Sequence, residues 1–292
     1  MYKRKINVNE YQKIVDLYRS GVSSSKIALL YNVTIGTICN ILEKCKVSRR
    51  NQHLAQQKYP LNEHYFDVID SEDKAYFLGF LYADGCVEKR SENSYRVKIN
   101  LKNADRYILE RFANCLETKQ PIHSYISKCQ IGYGNKYSSL TVNSLILAKS
   151  LINKGCFECK SLILKFPDRK LFKNPDLIRH FIRGYFDGDG SVFISNEKHW
   201  RHGKIFPVIH FRFCGTKWFC SELQTILNIG GRLSHPKKAH KDFVELAYKR
   251  NKKAKYFFDY LYKDATIYLK RKYDIFYNYL KQLERGSETI IS

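Results

Sequence analysis

The sequence predicts an α+β protein built from two pseudo-symmetric αββαββα repeats with saddle-shaped antiparallel sheets, preceded by a small all-α N-terminal domain. Three observations predict it. An apolar helix ending in Asp-Gly occurs twice, over Ala75–Gly85 and His180–Gly190, with the two Asp-Gly pairs 105 residues apart. Each copy is followed by residues that alternate polar and apolar with the period of a half-buried strand. Residues 9–47 carry helical apolar stripes instead.

The N-terminal stripe begins with Ile14, Val15, Leu17 and Tyr18 and is broken at Gly21. Ser23 to Ser25 offer N-caps for a second helix over residues 26–31, and Thr34 caps a third. Counted from Ser24, apolar residues fall at positions four (Ile27), ten (Val33), fifteen (Ile38) and eighteen (Ile41), with small Ala28 at five and Asn32 at the turn. This spacing resembles the helix-turn-helix family, whose small residue lets two helices approach. Asn32 stands where Gly is commoner, and Asn is the next most tolerant of positive φ. The resemblance implies that Thr34, Thr37, Asn40 and Lys44 face DNA from a recognition helix, with Arg49 and Arg50 behind it reaching phosphates.

The expected domains are residues 1–50, a polar linker over 51–67 containing Pro60, a first repeat over 68–168 and a second over 169–292. In the first repeat Val97, Ile99 and Leu101 alternate with Lys98, Asn100 and Lys102; in the second Ile209, Phe211 and Phe213 alternate with His210 and Arg212. A helix follows in each copy, over 105–116 and 217–227. Two short strands come next, near 121–131 and 137–142 and near 231–235 and 242–248, and another helix closes each copy.

The segments from Phe77 to Gly85 and from Ile182 to Gly190 both have Gly third (Gly79, Gly184), a small residue seventh (Ala83, Gly188) and Asp-Gly at the end. They resemble the nine-residue signature of the LAGLIDADG homing endonucleases, and the resemblance covers about residues 68–285. The residues argue in the same direction. Gly79 with Ala83, and Gly184 with Gly188, lie four apart on one helix face, so two such faces can pack with backbones nearly touching. Asp84 and Asp189 then meet at two helix C-termini, where the dipoles add negative potential and the following Gly permits a left-handed exit. Two such carboxylates repel unless a cation lies between them, which predicts a divalent metal, Mg2+ or else Mn2+. Metal binding is expected at Asp84 and Asp189 with Ala83 and Gly188 beside them. Asp187, about 200° round the helix from Asp189, is expected to face elsewhere. The resemblance further implies a basic residue near each metal site: Lys160 in the first copy, and Lys270 or Lys272 in the second.

The polar strand residues Lys98, Asn100, Lys102, His210 and Arg212, with Lys237, Lys238 and Lys241 of a later hairpin, form a cationic saddle suited to double-stranded DNA. The expected activity is Mg2+-dependent, site-specific double-strand cleavage at a long asymmetric target by a monomer. Alternatives on the same fold are a non-catalytic transcriptional regulator and an RNA-splicing maturase, for which RNA becomes a partner.

Composition agrees. The 292 residues carry 51 Lys and Arg against 28 Asp and Glu, a net charge of +23, so an acidic partner is required. The longest apolar stretch, Ala75 to Ala83, is far short of the roughly 20 residues of a membrane span. No signal peptide is expected, and an intracellular site fits nine reduced cysteines. Cys156 and Cys159 have metal-ligand spacing but no second half-motif, although His199 and His202 are conceivable partners. No glycine-rich phosphate loop is present, so no nucleotide cofactor is expected. Met1 is not a splicing nucleophile and the chain ends Ile290-Ile291-Ser292, so an intein is not expected.

Overall fold

The computed structural model describes residues 6–48, 59–128, 133–158, 160–198, 203–236 and 240–288, and the chain divides into two compact units, Met1–Tyr59 and Pro60–Ser292. The smaller unit holds α1 (Tyr11–Arg19), α2 (Ser24–Leu30) and α3 (Ile35–Lys44). Its core is Ile14, Val15, Tyr18, Ile27, Ala28, Ile38, Ile41 and Leu42. Ser23 Oγ accepts from Lys26 N at 3.2 Å and Thr34 Oγ1 from Thr37 N at 3.3 Å, so each hydroxyl caps a helix. Between α2 and α3, which meet at 108°, Asn32 adopts φ +52°. Asn40 and Lys44 are exposed. Thr34 is exposed and Thr37 half-buried, and their hydroxyls are bonded to each other at 2.9 Å. Arg49 and Arg50 lie outside the described residues.

The larger unit repeats one plan. The first copy runs α4 (Glu72–Ala83), β1 (Gly85–Ser91), β2 (Ser94–Lys102), α5 (Arg106–Cys115), β3 (His123–Ile126), β4 (Lys136–Asn143) and α6 (Leu145–Asn153). The second runs α7 (Leu177–Asp189), β5 (Ser191–Lys198), β6 (Ile205–Thr216), α8 (Lys217–Leu227), β7 (Arg232–Ser234), β8 (Phe243–Lys249) and α9 (Asn251–Tyr262), and adds α10 (Lys270–Glu288), which the sequence pattern does not announce. The sheet orders β1-β2-β4-β3 and β5-β6-β8-β7 are equivalent and wholly antiparallel. Val97, Ile99 and Leu101 of β2, and Ile209, Phe211 and Phe213 of β6, are buried. Their polar neighbours therefore take the opposite face of each sheet.

Both sheets pack around α4 and α7. Every residue of α4 from Ala75 to Tyr82 is buried, the expected state of a helix apolar on all sides. Its contact with α7 is backbone to backbone. A Cβ on Gly79 would lie 2.0 Å from Phe181 O, and one on Gly184 would lie 2.0 Å from Tyr76 O. The glycines after the aspartates serve a different purpose from the one expected. Gly190 leaves α7 with φ −75° and ψ 158°, and Gly85 is already the first residue of β1; neither adopts the left-handed conformation. A Cβ on Gly85 would lie 2.5 Å from Leu81 Cδ2, and one on Gly190 2.2 Å from Phe186 Cδ2. Glycine is needed here so that the strand can fold straight back along the last helical turn.

Among the described residues no single helix is long and apolar enough to cross a membrane. The described cysteines are free; among them Cys156 and Cys220 are buried and Cys86 is exposed. Cys159, His199 and His202 lie outside the described residues, while Cys156 Sγ donates to Leu81 O at 3.5 Å.

Candidate active site

Because glycines let α4 and α7 touch, their C-terminal ends emerge together. Asp84 is the C-cap of α4 and Asp189 the last residue of α7. Gly188 abuts the other helix: a Cβ there would meet Ala83 Cβ at 2.2 Å and Asp84 Oδ2 at 3.4 Å. Both carboxylates are open to water, yet enough protein surrounds them to desolvate the charged form. Burial therefore pushes the Asp189 carboxyl up to about 6, and the Asp84 charge pushes in the same direction, against Lys160 and Lys272. Burial also raises Asp84, opposed by Lys272, Lys160 and Arg271.

The two lysines are buried and occupy equivalent places. Lys160 Nζ donates to Gly85 O, and Lys272 Nζ donates to Gly190 O, the corresponding carbonyl of the second repeat. Lys272 also donates to Phe186 O (2.6 Å), Asp187 O (2.7 Å) and Gly188 O (3.2 Å), which satisfies the carbonyls left open at the end of α7. Burial lowers its ammonium to about 8, against the attraction of Asp187, Asp84 and Asp189. Of the alternatives Lys270 and Lys272, the structure brings Lys272 to the aspartates. Lys270 begins α10 with its side chain exposed, and its N–H donates to Tyr107 Oη at 2.7 Å.

Asp187 faces the protein interior. It is fully buried and accepts from Tyr76 Oη of α4 at 2.8 Å, from Leu269 N at 2.7 Å and from Tyr262 Oη at 3.5 Å. It thereby ties both motif helices to the segment that delivers Lys272. Sequence reasoning missed this joint; the signal was a carboxylate inside an apolar helix where the first copy has Tyr82. Arg183, also fully buried and about one turn earlier in α7, donates to Ile267 O (2.8 Å), Leu261 O (2.7 Å) and Glu72 of α4 (2.5 Å).

The donor set suits a hard divalent cation. Two carboxylates and the main-chain oxygens beside them are all oxygen ligands, and the buried Lys160 and Lys272 only partly offset the raised carboxyls. Among the described residues no group of three His, Cys, Asp or Glu side chains gathers. The place therefore fits a hydrated ion such as Mg2+, which keeps several waters and shares substrate oxygens, better than an all-protein cage.

On the outward sheet faces Asn100 and Lys102 are exposed and Lys98 is half-buried, opposite Cys86 and Thr141. His210 and Arg212 are half-buried and engaged. His210 Nε2 lies 2.9 Å from Ser195 Oγ and 3.1 Å from Glu197 Oε1, while Arg212 donates to Ser191 Oγ (2.8 Å) and Glu245 (3.0 Å). Lys241 is exposed; Lys237 and Lys238 lie outside the described residues. Phe193, exposed on the same face, escaped the sequence reading.

Residues 71–154 match the family model described as LAGLIDADG-like domain. Over that stretch the chain is similar to a LAGLIDADG domain. The larger unit has the LAGLIDADG fold in two copies: the I-LtrWI LAGLIDADG homing endonuclease bound to target DNA superposes with TM-score 0.51 at 14% identity, over 77% of this chain and 92% of that one. The meganuclease I-SmaMI bound to uncleaveable DNA superposes with TM-score 0.51 at 13% identity, over 72% and 90%. In sequence, an uncharacterized protein of Methanocaldococcus jannaschii is 30% identical over 130 residues, 44% of this chain and 44% of that protein. The chain spans less than half the length of the curated relatives it matches.

Proposed function

We propose that the chain is a site-specific, Mg2+-dependent double-strand DNA endonuclease of the homing type, acting as a monomer inside the cell on a long asymmetric target. One observation carries this reading: two water-accessible carboxylates, Asp84 and Asp189, held together at abutting helix ends with an equivalent buried lysine behind each. Nothing in the folding of the unit requires like charges to be brought together there, and a phosphodiester-cleaving metal site does.

Asp84 and Asp189, with the main-chain oxygens of Ala83 and Gly188 beside them, would hold the ion. When bound, it would supply Lewis-acid polarisation of the phosphoryl group and of water. Lys160 and Lys272 hold the glycine carbonyls in place, which orients the aspartates, and their cations offset charge building on the scissile phosphate. Because each repeat supplies one aspartate and one lysine, each repeat serves one strand. The cationic saddle residues Lys98, Asn100, Lys102, His210, Arg212, Lys237, Lys238 and Lys241 bind the duplex. Residues 1–50 act as a helix-turn-helix, with Asn40, Lys44, Arg49 and Arg50 extending the footprint on one side.

The test is to incubate the purified chain with plasmids carrying the sequences that flank its own gene, with and without Mg2+. Metal-dependent linearisation at one site is expected, and its absence would sink the proposal. In Lys272→Met, cutting of one strand is expected to fall roughly 10²–10³-fold while the other strand is still cut, so nicked circles accumulate. Equal loss on both strands would refute the division of labour. Deleting residues 1–59 removes a separate compact unit. That truncation is expected to weaken binding and flatten its salt dependence while leaving single-turnover cutting of saturated DNA unchanged; an unaltered footprint would remove the helix-turn-helix assignment.

A further inference from the structure

The two repeats present different chemistry beside their aspartates. With the 105-residue offset, Cys86, Glu88 and Arg90 of β1 correspond to Ser191, Phe193 and Ser195 of β5. In the first repeat that position is ionic: Glu88 accepts from Arg90 at 2.8 Å and lies 3.5 Å from Arg96. In the second it is aromatic. Val192 is buried and Phe193 is 42% exposed, so the ring stands on the outward face. Phe193 stacks flat on His210, centroids 5.0 Å apart and planes 3° apart, with the Arg212 guanidinium 5.7 Å above the ring.

This stack is held from several sides. Ser191 and Glu245 fix Arg212, and Ser195 and Glu197 fix His210. A Phe ring kept in water adds little to stability, since burial is what stabilises apolar surface. A rigid apolar surface beside an oriented guanidinium is suited instead to reading a partner whose edge is part apolar and part acceptor. In the major groove the thymine methyl is the apolar feature, and guanine O6 and N7 form the paired acceptor that Arg matches.

Resting on the DNA-cleaving reading, we infer that Phe193 and Arg212 are specificity determinants of the second half-site, Phe193 contacting a thymine methyl and Arg212 a guanine. Arg212 lies opposite Ser191, two residues from Asp189, whereas Phe193 is two residues further along β5. Two strand residues span about 6.7 Å, and bases on one DNA strand are about 3.4 Å apart. The thymine and guanine are therefore about two base pairs apart, with the guanine nearer the cut.

The experiment selects the preferred duplex from a randomised DNA library with the full chain, then replaces each thymine of the second half-site by deoxyuridine, which removes only the methyl. At one position the replacement is expected to weaken binding about fourfold, the worth of one buried carbon, and to have no effect in Phe193→Ala. Phe193→Glu, which places the first repeat's residue at this position, is expected to lose the methyl sensitivity too and serves if the alanine variant misfolds, whereas Phe193→Leu, which keeps an apolar contact, retains it. Arg212→Gln is expected to lose roughly 5- to 150-fold of preference for guanine within two base pairs of that thymine. A half-site without any methyl-sensitive thymine, or a sensitivity that survives in Phe193→Ala, would overturn the inference while leaving cleavage intact. Failure of the selection to enrich any sequence would overturn the DNA reading itself, and this inference with it.

Discussion

Asp84→Asn and Asp189→Asn are each expected to lower metal-dependent cutting by roughly 10³-fold or more, because several kcal/mol of transition-state stabilisation by a bound cation is lost with its ligand. Affinity for DNA without metal should hold or tighten, since a negative charge near phosphate has been removed. Supercoiled-plasmid assays and equilibrium binding separate these two outcomes, and undiminished cutting in either variant would refute the site. The same pair sets a pH dependence. Asp189 is raised from 3.8 to about 6 in the folded protein, so the folded state binds the proton more tightly than the unfolded one. In metal-free protein this group's contribution favours the fold at low pH and declines as pH rises between about 4 and 6. Cutting has the opposite slope, because ligation needs the ionised form and the proton competes with the metal: at limiting Mg2+ cutting is expected to fall as pH drops, and more metal is expected to move that fall to lower pH. In Asp84→Asn the metal-free protein should gain stability above pH 6, because the repulsion that helps raise Asp189 is gone.

Gly184→Ala is expected, with its counterpart Gly79→Ala, to be among the most destabilising single-methyl additions in the motif helices. Its Cβ would lie 2.0 Å from Tyr76 O and 2.9 Å from Phe80 N, and both are backbone atoms that cannot swing aside. Relief requires α4 and α7 to separate, which opens the centre of a core containing Tyr76, Phe77, Phe80, Phe181 and Phe186. A loss of about 3 kcal/mol or more is the scale for such overpacking, or a fall in Tm of roughly 6–12 °C for a unit of this size. Gly36→Ala is the control. It lies inside α3, where the nearest neighbour to a new Cβ is Thr34 Oγ1 at 3.8 Å, so it should gain about 0.5–1 kcal/mol for its own unit. Thermal melts of the two variants decide the matter, and a Gly184→Ala protein that melts within a degree or two of the parent would mean that the helices do not touch as described.

Much of this architecture was legible in the residues. Local chemistry determined the helices and strands: the stripes at Ile14 and Ile38, the caps at Ser23 and Thr34, the alternation through Val97–Leu101 and Ile209–Phe213, and the duplicated Asp-Gly ends all depend on near neighbours. The small residues at Gly79, Ala83, Gly184 and Gly188 also announced a close helix pair, because their spacing matters only if something packs there. Even the pairing of the two carboxylates followed from repetition, since one Asp-Gly is a turn and two at equivalent ends of a close helix pair must emerge side by side.

Tertiary structure alone decided the rest, wherever a residue's surroundings come from distant segments. Lys270 and Lys272 are indistinguishable by sequence pattern, and only the path into α10 turns Lys272 toward the carbonyls of α7. Gly85 and Gly190 read as left-handed exits, whereas the strands that follow demand room against Leu81 and Phe186. Asp187 read as a bystander and proved to be a buried joint, because its partners Tyr76 and Leu269 lie 111 and 82 residues away in the chain. That two equivalent halves meet at a pair of carboxylates was written in near-neighbour chemistry; which lysine stands behind them, and which aromatic ring faces outward, followed from long-range packing that no local pattern encodes.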